Sequence, residues 1–138
     1  MDELSKIRTF LMQFPQWGDM PLMIDESGAA PGVPGLFPQG VTETGRKADI
    51  LGRVRISCRS RYLLMLRLPC REEENARWLR ALSDWVGSAS ALGLAPVLGD
   101  GNTRICCTEG RLKSREQAGT ALYQAELIAD FEKNYKGE

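Results

Sequence analysis

Four cysteines carry the most reactive side chains of this 138-residue sequence, at Cys58, Cys70, Cys106 and Cys107. The sequence has no histidine, so it lacks the commonest general base and can form neither a Ser-His-Asp triad nor a Cys-His pair. It also has no Cys-x-x-Cys, the usual spacing of zinc ligands, although four cysteines could still meet in space. Irregularly spaced cysteines do not suit the disulfide framework of a small secreted domain, so we expect reduced thiols. Cys106 and Cys107 lie in a β-like run, which predicts one core and one semi-exposed side chain.

Two further stretches contain residue types that catalytic or nucleotide sites use. Glu72, Glu73 and Glu74 are adjacent carboxylates, but a helix spreads neighbouring residues around its axis, and such residues are typical of a solvated first turn. The glycines of residues 28–40 have neither the order of a P-loop nor a strand-to-helix setting. We therefore predict that the chain is not an enzyme and binds no cofactor or metal.

Arginines are concentrated in one predicted hairpin, at Arg53, Arg55, Arg59, Arg61 and Arg67. Such a cluster could contact phosphate, bind an acidic protein surface, or form a solvated β face. The whole chain has 18 basic and 18 acidic residues, so no net charge favours nucleic acid or an anionic membrane. We name Arg53, Arg55, Arg59 and Arg61 as candidate partner-binding residues.

Leu36 and Phe37 are two further candidates for partner binding, because they lie in a long stretch rich in glycine and proline. Residues 27–40 contain four glycines and three prolines, a composition that predicts a loop. Loops of this length usually serve a function, and apolar residues at the centre favour ordering on contact with a partner. Trp78 and Trp85 are seven residues apart and share a helix face, which indicates core packing or, alternatively, an anchor at a subunit interface.

Hydrophobic periodicity predicts the elements that hold these residues. Helices are expected at about residues 3–14 and 71–92, and a short strand at 21–25. A hairpin is expected at 47–68 with its turn near Arg59-Ser60-Arg61. A turn at 100–102 precedes a strand at 103–112, and a polar connection at 115–119 precedes a last strand from 121 onward. These elements predict one α+β domain over residues 1–138, an antiparallel sheet of four to five strands with two helices on one face. No apolar stretch approaches the ~20 residues that cross a bilayer.

One order of segments resembles a known class of proteins. Gly35-Leu36-Phe37-Pro38-Gln39-Gly40 is followed by Lys47-Ala48-Asp49-Ile50-Leu51-Gly52, a hairpin, a tryptophan-bearing helix and a last strand that contains tyrosine. This plan resembles small minor capsid or tail-completion proteins of prophages. It is similar in particular to tail-terminator proteins of long-tailed phages, and the likeness in element order extends over nearly the whole chain.

The resemblance implies a structural function without catalysis. Proteins of the terminator type form hexameric rings that cap the tail tube and join it to the head. The resemblance implies that the partners are further copies of this chain, the tail tube and head-joining proteins. It also implies that the protein is located in the host cytoplasm during assembly and then in the virion. Two alternative interpretations remain. The chain is a neighbouring head-completion subunit, or it is a nucleic-acid-binding or adaptor domain that uses the arginine-rich hairpin.

Overall fold

The computed structural model describes residues 3–16, 35–69, 72–115 and 119–135. In these ranges the elements are α1 (Glu3–Leu11), β1 (Gly35–Ala48), β2 (Val54–Pro69), α2 (Glu72–Ala91), β3 (Asp100–Cys107), β4 (Arg111–Arg115) and β5 (Thr120–Tyr135). The five strands form one antiparallel sheet. The predicted α+β class is therefore confirmed.

The two longest strands, β2 and β5, form the centre of the sheet. They pair without interruption from Val54↔Tyr135 to Pro69↔Thr120. β1 pairs with the other side of β2, whereas β3 and β4 pair one after the other with the far side of β5. The sheet is therefore four strands wide, with β1 at one edge and β3 and β4 at the other.

Both helices bury their apolar stripes on the same face of the sheet. Alternate residues of β2 and β5 point into this layer. The shared core contains Ile7, Phe10 and Leu11 of α1, Phe14 of the turn after it, Leu79, Leu82, Val86 and Ala89 of α2, and Tyr62, Leu64, Leu66, Leu68, Ala121, Tyr123, Ala125, Leu127 and Ala129 of the sheet. The predicted packing of two helices on one face is thus confirmed.

The predicted turn near Arg59-Ser60-Arg61 is wrong. β2 runs straight through these residues, and the hairpin turns instead between Ala48 and Val54. The even-numbered residues before and after Ser60 face the same core. The alternation therefore continues through Ser60 unchanged, as in a single strand. The side chains of Arg59 and Arg61 point to the opposite face of the sheet, where they form ion pairs with carboxylates of β5.

The predicted strand at residues 103–112 is divided into β3 and β4. Thr108, Glu109 and Gly110 interrupt it, and a Cβ at Gly110 would lie 2.6 Å from a methyl carbon of Leu79 on α2. Any side chain there would have to displace the buried side chain of Leu79. The turn expected at residues 100–102 is also wrong, because these residues begin β3.

Other boundaries differ less from the predictions. α1 ends at Leu11 rather than at residue 14, with a turn over the next residues, and α2 lies within one residue of its predicted bounds at each end. The predicted loop at 27–40 is wrong for residues 35–40, which belong to β1. Its remainder, the strand predicted at 21–25 and residues 116–118 of the polar connection lie outside the described residues.

Candidate protein-protein interface

The sheet face opposite the helices, here called the open face, carries most of the predicted arginine cluster. Arg55, Arg59 and Arg61 alternate along β2 with core-facing residues and so share this face. β5 contributes the carboxylates of Glu126, Asp130 and Glu132 to the same face. A basic strand therefore lies directly beside an acidic one.

Three cross-strand ion pairs connect the two strands. Arg59 faces Asp130 in the register, and its Nε donates to Asp130 Oδ1 at 2.8 Å. Arg61 Nη1 lies 3.2 Å from Glu126 Oε1, and Arg55 Nε lies 3.6 Å from Glu132 Oε2, both on diagonals of the register. The hydrogen bond and charge of Asp130 raise the pKa of the Arg59 guanidinium. Much of the positive charge that the sequence placed here is thus balanced within the chain.

Arg53 has a different place, in the turn between β1 and β2. Asp49 Oδ1 accepts hydrogen bonds from the backbone N–H groups of Leu51 and Arg53, at 2.9 and 3.0 Å, and Asp49 Oδ2 accepts one from Arg53 Nε at 2.8 Å. These bonds lower the pKa of Asp49, the bond from the Arg53 backbone most. Gly52 completes the turn with a φ of 81°, which disfavours any side chain there. These hydrogen bonds define the turn at residues 49–53, here called the hairpin tip.

Leu36 and Phe37 lie on opposite faces of β1. Leu36 pairs with Leu64 and is fully buried in the chain's own core, so a partner cannot reach it without displacing that core. Phe37 pairs with Leu63 on the open face and is half-buried. Of the two, only Phe37 stays a candidate for direct partner contact.

Trp78 and Trp85 pack against α1 as the core hypothesis predicts. The ring of Trp85 lies 5.1 Å from that of Phe10 and 5.6 Å from that of Phe14, and Trp78 meets Phe14 edge-on at 5.5 Å. Trp78 Nε1 also donates to the carbonyl oxygen of Gln16 at 2.7 Å. The two indoles therefore hold the helices together.

The described cysteines lie as the strand pattern predicts. Cys107 points into the core and Cys106 to the open face, while Cys58 is buried; Cys70 lies outside the described residues. Burial raises the pKa of the Cys107 thiol to about 12, and burial together with nearby carboxylates raises that of Cys106. Neither thiol is ionised near neutral pH, so neither is an activated nucleophile.

One polar cluster was missed by the sequence analysis. Glu3, in the first turn of α1, accepts short hydrogen bonds from the hydroxyls of Ser60 and Tyr62, both almost fully buried in β2. The signal was available, because Ser60 is a polar residue at a core-facing position of the β2 alternation. The cluster fixes the start of α1 on the sheet.

Comparisons with protein-family models, curated proteins and solved structures found no match to this chain. In the described ranges, no group of three or more potential ligands from histidine, cysteine, aspartate and glutamate could hold a metal ion. No helix within those ranges is long and apolar enough to cross a membrane.

Proposed function

We propose that this chain is a structural subunit of the head–tail region of a long-tailed phage, a tail terminator that assembles with copies of itself into a ring capping the tail tube. Partners are neighbouring copies, the tube and head-joining subunits. The element order of the resemblance supports this proposal, and the surfaces described above supply the contacts that a ring subunit needs.

The observation that carries the proposal is the one-sided sheet with two open edges. Both helices lie on one face, and within the described ranges β1 pairs only with β2, whereas β3 and β4 pair only with β5. Open strand edges present unpaired backbone groups on which another chain can add. A subunit with edges on opposite sides can contact one neighbour on each, as a closed ring requires.

The chemistry of the surface also supports a protein partner over nucleic acid. Arg53, Arg55, Arg59 and Arg61 each lie within 4 Å of a carboxylate of this chain, at separations of 2.8, 3.6, 2.8 and 3.2 Å. Phosphate would have to compete with these carboxylates. Complementary charges arranged in rows instead set the register of a protein contact.

Native mass spectrometry of the purified chain, with negative-stain electron microscopy, tests the proposal. We expect a closed ring of identical subunits, a hexamer if the resemblance holds in full. A protein that stays monomeric at every concentration would contradict the ring.

Retention on DNA at increasing salt tests the alternative. Retention that is lost in the Arg55→Gln/Arg61→Gln variant, but not in Arg80→Gln, would assign nucleic-acid binding to the open face. Arg80 is a suitable control because its ion pair with Glu109 is exposed and lies away from the open face, on α2. We expect the wild type to show no such retention.

A further inference from the structure

The ion pair between Arg59 and Asp130 lies on the open face between the other two cross-strand pairs. Arg59 Nε donates to Asp130 Oδ1 at 2.8 Å, and Arg59 Nη2 donates to Asp130 Oδ2 at 3.3 Å. This side-on geometry leaves the N–H groups of Nη1 for another acceptor, and each carboxylate oxygen can accept a further hydrogen bond. The two side chains are 40% and 42% exposed. The pair can therefore bind both an acceptor and a donor from outside the chain.

The charges of the open face form two adjacent rows of opposite sign. The cations follow β2 and the carboxylates follow β5, as Arg55, Arg59 and Arg61 beside Glu126, Asp130 and Glu132. Such a pair of rows is complementary to the same pair in reverse order. A second copy of this chain carries the pattern that fits.

One symmetric arrangement places the rows of two copies in reverse order. A two-fold axis parallel to the strands, midway between β2 and β5, lays β2 of one copy over β5 of the other. The axis keeps each residue at its own level along the strands, so Arg59 faces Asp130 of the second copy, because these residues are register partners. Packed sheets lie about 10 Å apart, a gap that a long arginine side chain and a facing carboxylate span together.

Other two-fold arrangements of the same faces bring like charges together. An axis along β2 itself would place Arg59 over Arg59 of the second copy, and an axis along β5 would oppose the carboxylates. An axis across the strands would stack each row on its own copy. Facing like charges weaken a contact and discriminate against it. Among these arrangements, the charge rows therefore favour the axis between the strands.

Apolar side chains beside the charge rows would lose water in the same contact. Ile128 lies between Glu126 and Asp130 along the open face of β5, and Leu63 follows Arg61 on that of β2. Both are half-buried, so part of each remains to be covered. Covering this part stabilises the contact at any salt concentration, whereas the charges set its register.

We infer that two copies of this chain pack through their open faces about this axis, with Arg59 of each copy facing Asp130 of the other. The contact is isologous and closes after two copies. It goes beyond the proposed ring, because it uses the face of the sheet and leaves the strand edges for ring neighbours. At low salt, it should double the mass of whatever assembly the edges build.

Charge reversal at the central pair tests the contact. Arg59→Glu places anions on both strands at this level, and Asp130→Arg places cations on both, so neither variant should pair with itself. We expect either change to raise the dissociation constant of the face-to-face pair by about tenfold or more in sedimentation velocity at low salt. About 1 M salt, where the Debye length is about 3 Å, should weaken the wild-type pair as well.

Two recovery experiments separate the contact from a folding defect. An equimolar mixture of Arg59→Glu and Asp130→Arg should form 1:1 heterodimers, because anions of one face then oppose cations of the other. The double variant Arg59→Glu/Asp130→Arg exchanges the two charges within one chain and should pair with itself again. Absence of both recoveries in variants that keep the wild-type far-UV circular dichroism would overturn the inference.

Arg80→Glu is the matched control, because it changes the net charge as Arg59→Glu does but lies on α2, away from the open face. It should pair with itself like wild type and form no heterodimers with Asp130→Arg. Such heterodimers would mean that net charge alone drives association, which would overturn the inference. An assembly of equal mass in wild type and Arg59→Glu at low salt would also overturn it while leaving the ring intact. A face-to-face dimer that forms no larger assembly would count against the proposed ring alone.

Discussion

The thiol of Cys107 links stability to alkaline pH. Its pKa is raised to about 12 in the folded chain by burial, against 9.0 for the unperturbed group. Above pH 9 the unfolded chain loses this proton while the folded chain keeps it, so the unfolded state binds fewer protons and stability falls. The contribution is complete below pH 9 and is lost as pH rises towards 12.

We expect Cys107→Ala to remove this part of the pH dependence. At about 1.4 kcal/mol per pKa unit, the wild type should lose up to about 4 kcal/mol more than the variant between pH 9 and pH 12. Urea unfolding across this range measures the two slopes, and comparing slopes removes the constant cost of the cavity. Cys106→Ala is the comparison, because the pKa of this more exposed thiol is also raised but less by burial, so its removal should flatten the slope less. Parallel curves for wild type and Cys107→Ala would contradict the raised pKa.

Tyr62 tests how firmly the polar cluster holds α1. Its buried hydroxyl donates to Glu3 and lies 3.1 Å from Ser60 Oγ, whose own proton is donated to Glu3. A hydrogen bond to a charged group contributes about 1.5–3 kcal/mol, so Tyr62→Phe should lower the free energy of unfolding by about that amount. Chemical denaturation measures it. Tyr123→Phe is a suitable control, because its hydroxyl accepts from the neutral Asn75 amide at 3.3 Å and should cost less. Equal losses would show that Glu3 adds nothing special.

At the scale of secondary-structure elements, the sequence predicted the central residues of the helices and strands better than the residues at which they begin and end. Both helices and β5 were recognised because their apolar residues recur on one face that is buried in a single core. The predicted position of the β1–β2 turn is wrong because Arg59-Ser60-Arg61 resembles a polar break between two strands. Arg59 and Arg61 form hydrogen bonds with carboxylates that lie 71 and 65 residues away in the sequence. A short-range hydrophobic pattern does not reveal these partners.

The candidate interface was predicted in composition but not in arrangement. The arginine cluster was identified, yet which arginine pairs with which carboxylate depends on the β2–β5 register. Ile50 and Leu51 were overlooked, because two apolar residues beside a turn resemble the end of a strand. Their exposure follows only from the position of the turn.

The contact between helices predicts a specific role for Trp85. Its ring packs on Phe10 of α1 and on Phe14 in the turn after it, so Trp85→Ala should leave a cavity and reduce monomer stability by about 3 kcal/mol. Thermal or urea unfolding of the monomer measures this. Leu92→Asp, an exposed change on the same segment, should cost far less. Loss of assembly with unchanged monomer stability would instead place Trp85 at a subunit interface.

At the scale of the whole molecule, the edge strand β1 and the central strand β5 differ in how their backbones are paired. β5 is paired on both sides over most of its length, whereas the outer side of β1 has no pairing strand in the described ranges. In an antiparallel edge strand, alternate backbone N–H groups point away from the neighbouring strand. Exchange with solvent water should therefore alternate along β1 in the monomer.

Hydrogen exchange then reports how the ring closes. We expect the alternating fast amides of β1 to become protected when the wild type assembles, because an open edge adds a strand from another chain more readily than a paired one. Wild type diluted below the concentration at which it assembles supplies the unassembled reference. β5 amides serve as the internal control and should be protected in both states, since their partners belong to the same chain. Fast exchange of β1 in the assembled ring would mean that copies meet through side chains alone, with the edge left open to solvent.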